Sequence, residues 1–204
     1  MPQLTPAAAW ARMLDGNARF VSDQNSEIFQ DSVKRASLKD GQNPFALVFG
    51  CSDSRVAAEI IFDQGLGELF VVRTAGHVVG EAVLGSIEFG VEVLGIPLVV
   101  VLGHDSCGAV KAAMESVTSG DMPGGYIRDI VERVLPSNVA VGAGDEQSTP
   151  ELVGAEHVRQ TSRLINERSR IVNDAITSGR LAIVGATYRL AVGNVHVEEI
   201  IGAV

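Results

Sequence analysis

The chain has few cysteines, few aromatic residues and few basic residues. Its 204 residues include 2 Cys, 1 Trp and 2 Tyr, and 16 Lys and Arg stand against 25 Asp and Glu for a net charge of −9. The basic residues are scattered, and an acidic chain without a basic run is a poor partner for nucleic acid or for an anionic membrane. No apolar run approaches the ~18 residues that a membrane-spanning helix needs.

Two further signals are missing. The segment Met1–Thr5 lacks the basic start of a secretion signal, and the alanines after it alternate with polar residues. We therefore expect a soluble, cytoplasmic protein, in which two cysteines are metal ligands or reactive thiols rather than a disulfide. The glycines form no Gly-x-Gly-x-x-Gly pattern, so no dinucleotide site is predicted.

Apolar runs and turn residues predict an α/β fold. A helix begins at Thr5-Pro6 and ends near Val21, because a hydroxyl N-cap followed by proline favours a helix start. Residues 23–43 are polar and mostly irregular. The predicted strands are 45–50, 68–73, 97–102 and 181–187, with an alternating edge strand at 195–200. The predicted helices are near 56–63, 80–95, 108–118, 126–134 and 151–177, with a loop over 136–150.

The strands before the last are continuous apolar runs, as expected for strands that are buried on both faces of a parallel sheet. We expect a mainly parallel central sheet of order 2-1-3-4 plus an antiparallel edge strand, flanked by helices. The chain is predicted to be one domain, 1–204, with an N-terminal helical arm at 1–43 and an α/β core at 44–204. The arm could pack on its own core or on a partner chain.

Each cysteine follows an apolar strand at the point where the strand becomes a turn. Cys51 opens Cys-Ser-Asp-Ser-Arg, and Cys107 closes His104-Asp-Ser-Cys. In an open parallel sheet, ligands bind beyond the carboxyl ends of the strands, and for order 2-1-3-4 these two strands are neighbours. Two thiolates, one imidazole and the carboxylate of Asp53 make a complete four-ligand set for zinc.

Asp53 is the weakest of these four ligands, and water can displace it, which favours a catalytic site with an exchangeable position over a closed structural site. Arg55 stands two residues later, where its side chain can lie on the same side as that of Asp53. A bidentate pair between them would hold the carboxylate off the metal. Alternatively, Asp53 and Arg55 form an ordinary ion pair at the start of a helix, without a role at the metal.

At these motifs the chain resembles the β-class carbonic anhydrases, particularly actinobacterial members. The similarity continues through Glu68-Leu-Phe-Val-Val-Arg73 and Gly85-Ser-Ile-Glu-Phe to Tyr188. The resemblance implies reversible hydration of carbon dioxide to bicarbonate and a proton by a zinc-bound hydroxide, with one Zn²⁺ per chain. It also implies a homodimer, built partly by the N-terminal arm, or a homotetramer.

The resemblance further implies roles for individual residues. Asp53, paired with Arg55, would accept a hydrogen bond from the hydroxide, and Gln42 would donate one to the substrate, often across a dimer interface. Arg73 and Tyr188 match two members of a bicarbonate regulatory site found in part of the family. The third member of that site is a Trp, and Val48 takes its position here.

Several alternatives remain open. A carbon disulfide or carbonyl sulfide hydrolase would share the ligands, and a non-catalytic zinc-binding regulatory protein would use a closed site. A thiol redox protein is less compatible with His-x-x-Cys than with Cys-x-x-Cys. Among the other histidines, His77 is interpreted as a hydrogen-bonded structural residue or a proton shuttle, and His157 and His196 as surface or edge residues.

Overall fold

The structure, a computed structural model, describes residues 4–26, 31–143 and 148–204. Residues 1–3 of the N-terminal segment, part of the predicted irregular region and part of the loop predicted at 136–150 lie outside this description. The helices are α1 (Pro6–Val21), α2 (Ser32–Ser37), α3 (Ala58–Ile61), α4 (Glu81–Glu88), α5 (Gly108–Ser119), α6 (Ile127–Ala140), α7 (Pro150–Arg168) and α8 (Arg170–Thr177). The strands are β1 (Ala46–Cys51), β2 (Leu69–Thr74), β3 (Leu98–His104), β4 (Ala182–Tyr188) and β5 (Val195–Ile201).

The strands form one sheet of order β2-β1-β3-β4-β5. Pairs β1–β2, β1–β3 and β3–β4 are parallel, and β5 runs antiparallel to β4. This is the predicted order, including the final antiparallel edge strand. Strands β1, β3 and β4 are buried along their whole length, whereas β2 and β5 at the two edges are only partly buried.

Helices cover both faces of the sheet. On one face, Trp10 and Met13 of α1 pack with Val48, Phe62 and Val100. The N-terminal helix therefore packs on the sheet of its own chain. On the other face, buried side chains of α4, α7 and α8 pack against the alternate positions of β1 and β3; they include Leu47, Phe49, Val99, Val101, Ile165 and Val172.

A third apolar cluster lies beyond the carboxyl ends of the central strands. It joins Cys51 and Cys107 to Val110 of α5 and Val134 of α6. Residues Ala75–His77 form a short 3₁₀ turn directly after β2, at the side of this cluster. The cluster thus gives the two cysteines an apolar surrounding at the edge of the sheet where ligands bind in parallel α/β folds.

Three helical predictions need correction. The irregular region contains the short helix α2, which Asp31 caps by accepting a hydrogen bond from the backbone N–H of Lys34. Helix α6 continues through Pro136 to Ala140 instead of ending near residue 134. The helix predicted at 151–177 is two helices that meet at Ser169, which is the C-cap of α7 and the N-cap of α8.

None of the helices within the described ranges combines the length and the hydropathy that a bilayer crossing requires.

Candidate metal centre

The ends of two neighbouring strands bring the candidate ligands together. Cys51 is the last residue of β1 and His104 is the last residue of β3, and these parallel strands pair in register from Leu47–Val99 to Gly50–Leu102. Cys107 precedes the first residue of α5. One potential ligand atom from each of the three residues lies within 4.8 Å of the other two, and all three side chains are buried.

The imidazole of His104 is oriented to offer Nε2. Its Nδ1 lies 2.8 Å from the backbone carbonyl oxygen of Asp105, which can only accept a hydrogen bond, so Nδ1 carries the proton. The buried Nε2 atom has no hydrogen-bond partner among the described residues. A histidine that donates through one ring nitrogen to a backbone carbonyl and leaves the other free is the usual arrangement of a metal ligand.

The two thiols differ in their tendency to ionise. The hydrogen bond from Cys107 lowers the pKa of Cys51 to about 4, in spite of burial, and hydrogen bonds from the backbone N–H groups of Asp53 and Gly76 lower it further. The pKa of Cys107 is raised, because its thiol donates to Cys51 and because it is buried. A cation that replaces the proton shared by the two sulfurs would be held by both of them.

These residues fit zinc. Both cysteines are free, and zinc favours sulfur and imidazole donors, with a fourth position left open in catalytic sites. The buried Nε2 of His104, which the described residues leave without a hydrogen-bond partner, is a polar atom that a metal would satisfy.

Asp53 lies beside this group of three, and its carboxylate is paired with Arg55. Arg55 donates from Nε to Oδ1 at 2.9 Å and from its terminal nitrogen to Oδ2 at 2.7 Å, and its backbone N–H also reaches Oδ1 at 2.9 Å. These contacts hold the pKa of Asp53 well below its usual range. Asp53 Oδ2 lies 3.9 Å from His104 Nε2, so the ionised carboxylate borders the ligands.

Arg73 supports the backbone of the same loop. Its Nε donates to the carbonyl oxygen of Cys51 at 2.9 Å, and its terminal nitrogen donates to that of Asp53 at 2.6 Å. Tyr188 is the last residue of β4, where it pairs with His104. It is buried in the same apolar layer as Val48.

Gln42 lies exposed in the segment before β1. The hydrogen bonds of the described residues do not link it to the three candidate ligands.

Two other histidines differ from their predicted roles. His157 of α7 is buried, so its interpretation as a surface residue is wrong. His77 is fully buried, and neither of its ring nitrogens has a hydrogen-bond partner among the described residues. Burial lowers the pKa of His77 well below its usual value. His196 is exposed on the edge strand β5, as predicted.

Sequence reasoning missed the environment of His157, because its partners lie far from it in the chain. Its Nε2 contacts the carbonyl oxygen of Gly76, 81 residues away, and its Nδ1 contacts Ser137 on α6. The only local signal was its position in an amphipathic helix, next to Val158 on the buried side.

Comparison with known proteins shows extensive similarity. The family model described as carbonic anhydrase matches residues 46–195. Carbonic anhydrase 2 of Mycobacterium tuberculosis is 52% identical over 202 residues, which cover 99% of this chain and 97% of that protein. The carbonic anhydrase of Mycolicibacterium smegmatis is also 52% identical over 202 residues, which cover 99% and 98%. A structure of tetrameric β-carbonic anhydrases from the ascomycete Sordaria macrospora has the same fold, with a TM-score of 0.73, 21% identity and coverage of 92% and 95%.

Proposed function

Since this chain belongs to the carbonic anhydrase family, we propose that it hydrates carbon dioxide reversibly to bicarbonate and a proton at one zinc ion held by Cys51, His104 and Cys107. The observation that carries this proposal is the convergence of three zinc-binding side chains within 4.8 Å at the ends of two adjacent strands. Zinc, when bound, supplies a Lewis acid that lowers the pKa of a coordinated water from about 15.7 toward about 7.

The chain's own residues prepare the site for this chemistry. The Nδ1–H of His104 donates to Asp105, which fixes the ring and directs Nε2 toward the two sulfurs. The apolar cluster around the cysteines excludes water from the side of the ligands that faces the protein. These features hold the three donors in place before substrate arrives.

Asp53 and Arg55 form the polar side of the site. Arg55 keeps the carboxylate of Asp53 ionised and fixes both of its oxygens. An ionised carboxylate at this place accepts a hydrogen bond from the attacking oxygen and thereby orients it toward carbon dioxide. Because the same Asp53 oxygen lies 3.9 Å from His104 Nε2, a rotation away from Arg55 would make Asp53 a fourth metal ligand.

The remaining site residues contribute in different ways. Arg73 holds the backbone of the loop that carries Cys51 and Asp53. Arg73 stands two residues after Val71 on β2, and alternate residues of a strand point to the same face of the sheet. Arg73 is therefore on the face that also carries Val48 and Tyr188. A bicarbonate regulatory site at Arg73 and Tyr188 would therefore have the small Val48 in the place of an aromatic ring. Gln42 would contact substrate in the site of a partner chain, which agrees with its exposure here.

We extend the proposal to a homodimer or homotetramer in the cytoplasm. Exposed apolar side chains support self-association: Phe89 stacks on Phe70 of β2 at a ring-centroid distance of 6.3 Å, yet it is 44% exposed, and Val93, four residues later in the chain, is 65% exposed. The Sordaria macrospora relatives are tetrameric. A cytoplasmic location is supported by the need to keep two thiol ligands reduced.

The test is stopped-flow hydration of carbon dioxide at pH 7 and pH 8.5, with zinc quantified on the same sample. We expect turnover that rises with pH, with one zinc per chain, and a Cys51→Ser variant that loses both. One zinc per chain without turnover at either pH would contradict the proposed reaction. Carbonyl sulfide would then be tested as substrate.

A further inference from the structure

The backbone of the short turn Ala75–His77 contacts a candidate zinc ligand. The N–H of Gly76 donates a hydrogen bond to Sγ of Cys51, with a nitrogen–sulfur distance of 3.3 Å. A hydrogen bond to a thiolate stabilises its charge and limits the directions from which the sulfur can donate electrons. The orientation of the Gly76 N–H therefore affects how Cys51 holds a metal.

Gly76 cannot fix that orientation by itself. Its φ of 62° lies in the left-handed region, and a Cβ at this position would come within 2.5 Å of Cβ of Ala109, so only glycine fits. Glycine is also the residue with the most backbone freedom. The next residue, His77, has φ 42°, which is unfavourable for a residue with a side chain. Two consecutive left-handed residues need support from outside the turn.

His157 of α7 supplies this support. Its Nε2 lies 2.9 Å from the carbonyl oxygen of Gly76, and its ring packs against that of His77 at a centroid distance of 4.5 Å. A carbonyl oxygen only accepts, so Nε2 carries the proton and donates. Nδ1 lies 3.1 Å from the hydroxyl oxygen of Ser137, whose single proton can be donated either to Nδ1 or to Oε1 of Gln160 at 3.0 Å.

The position of α7 makes this contact possible. Val158 lies against the backbone of β3 and β4: a Cβ on Gly103 would come within 2.5 Å of its side chain, and one on Gly185 within 2.9 Å. The close approach of α7 to the sheet places the neighbouring His157 beside the turn. The contact is therefore set by tertiary packing and buried from solvent.

We infer that His157 is a positioning residue for the zinc ligand Cys51, acting through the backbone of Gly76. The hydrogen bond from His157 fixes the peptide on one side of the Gly76 Cα, and the N–H on its other side then points at the Cys51 sulfur. The inference rests on the proposed role of Cys51 as a zinc ligand. His157 itself is buried and reaches Cys51 only through the backbone of Gly76.

The experiment compares two variants of nearly equal shape, His157→Gln and His157→Met. Glutamine retains an N–H donor for Gly76, and Ser137 can still donate to Gln160; methionine fills the space without a donor. We expect about tenfold weaker zinc binding for His157→Met in chelator competition, the usual range for loss of an outer-shell partner being about 10–100-fold, and a change below about threefold for His157→Gln. The charge-transfer bands of the cobalt-substituted protein should shift in His157→Met only.

Ile165→Ala is the matched control. Ile165 is buried on the same helix, about two turns after His157, in the apolar layer that packs against the sheet. Its loss should lower the unfolding temperature and leave zinc affinity and the cobalt spectrum unchanged. If His157→Met binds zinc like the wild type, or if Ile165→Ala weakens binding equally, the inference is overturned.

Two further variants keep the test decisive. If His157→Met does not fold, Ser137→Ala replaces it, because loss of the hydroxyl removes the polar contact at Nδ1 that holds the ring of His157 from its other side. Unchanged zinc affinity and cobalt spectrum in Ser137→Ala would then overturn the inference. Cys51→Ser separates the two proposals. Retention of one zinc per chain in Cys51→Ser contradicts the ligand set, whereas loss of zinc there with wild-type binding in His157→Met contradicts only the role of His157.

Discussion

Arg55 holds the carboxylate of Asp53 through two parallel hydrogen bonds of 2.9 and 2.7 Å. The two residues are two apart in the chain, so the pair forms within one loop. The backbone N–H of Arg55 adds a third contact to the same carboxylate. Arg73 holds the main chain of Asp53 from the other side. The candidate catalytic carboxylate is thus fixed at its side chain and its backbone by two different arginines.

Arg55→Lys should reduce activity without releasing zinc. Lysine is a point charge and cannot reproduce the two parallel contacts, so the carboxylate would lose its fixed orientation. We expect kcat/KM for carbon dioxide hydration to fall by about 10–100-fold, as for other outer-shell partners of metal sites, with one zinc per chain retained. Arg163→Lys is the control, because Arg163 forms a similar exposed pair with Glu199, at 2.7 Å, away from the site. Equal activity of Arg55→Lys and the wild type would contradict the role of this pair.

The variant Arg73→Met distinguishes two roles of Arg73: holding the backbone of the loop that carries Cys51 and Asp53, or binding a regulatory bicarbonate. If Arg73 mainly holds the carbonyl groups of Cys51 and Asp53, its loss should lower activity about tenfold at every bicarbonate concentration. If Arg73 mainly binds regulatory bicarbonate, activity at low bicarbonate should persist and inhibition should weaken. Initial rates over a bicarbonate series at constant ionic strength separate these results. Tyr188→Phe is the companion variant, since it removes only a hydroxyl from the same sheet layer.

The sequence predicts the sheet and the three candidate ligands because both depend on local patterns. Continuous apolar runs identify buried parallel strands, and the polar residues after them must lie at one edge of the sheet. Cys51 and His104 end neighbouring strands in the structure, as their positions after 45–50 and 97–102 predicted. The pairing of Asp53 with Arg55 could also be predicted from the sequence, because only one residue separates them.

The parts that could not be predicted depend on contacts between distant residues. The break between α7 and α8 has no Gly or Pro; Ser169 caps α8 by accepting from Val172 N–H, and its hydroxyl also donates to Glu88, 81 residues away. Helix α6 continues through Pro136, beyond its predicted end near residue 134, and carries Ser137 to its contact with His157. No local sequence pattern predicts that α7 packs on the sheet with Val158 against Gly103 and Gly185.

Asp63→Asn should destabilise the protein at neutral pH and have little effect in acid. The Asp63 carboxylate is buried and accepts hydrogen bonds from Arg19 and from Ser26. Burial alone would raise its pKa, but these contacts outweigh burial and hold the pKa below the ordinary value of 3.8. A lowered pKa means that the stabilisation is fully present above that ordinary value and is lost as the pH falls through the pKa of the folded state.

The measurement is urea unfolding of wild type and Asp63→Asn from pH 7 to pH 3. We expect a difference in unfolding free energy of about 2 kcal/mol that is constant between pH 7 and pH 5 and decreases below about pH 4. Loss of zinc in acid affects both proteins and cancels in the difference. A difference that grows as the pH falls would show that the assigned sign is wrong.

Gly103→Ala should destabilise the protein by displacing α7. A Cβ on Gly103 would come within 2.5 Å of Val158, and both groups are buried between β3 and α7, so neither can move into solvent. Overpacking of this kind costs about 1–3 kcal/mol. Since Val158 is the neighbour of His157, and Gly103 precedes His104, zinc affinity should weaken in the same variant.

The double variant Gly103→Ala/Val158→Ala tests this cause, because removal of the two methyl groups of Val158 creates the space that the new Cβ needs. We expect it to be more stable than the sum of the single variants predicts, by about 1 kcal/mol, in urea unfolding with excess zinc. Gly154→Ala, on the same helix, is the control: within the described part of the chain, a Cβ there meets no atom outside its own helix backbone within 4 Å, so the gain in helix propensity should stabilise by about 0.5–1 kcal/mol. Strict additivity of Gly103→Ala and Val158→Ala would mean that the glycine is not required for the approach of α7, and the placement of His157 would need another explanation.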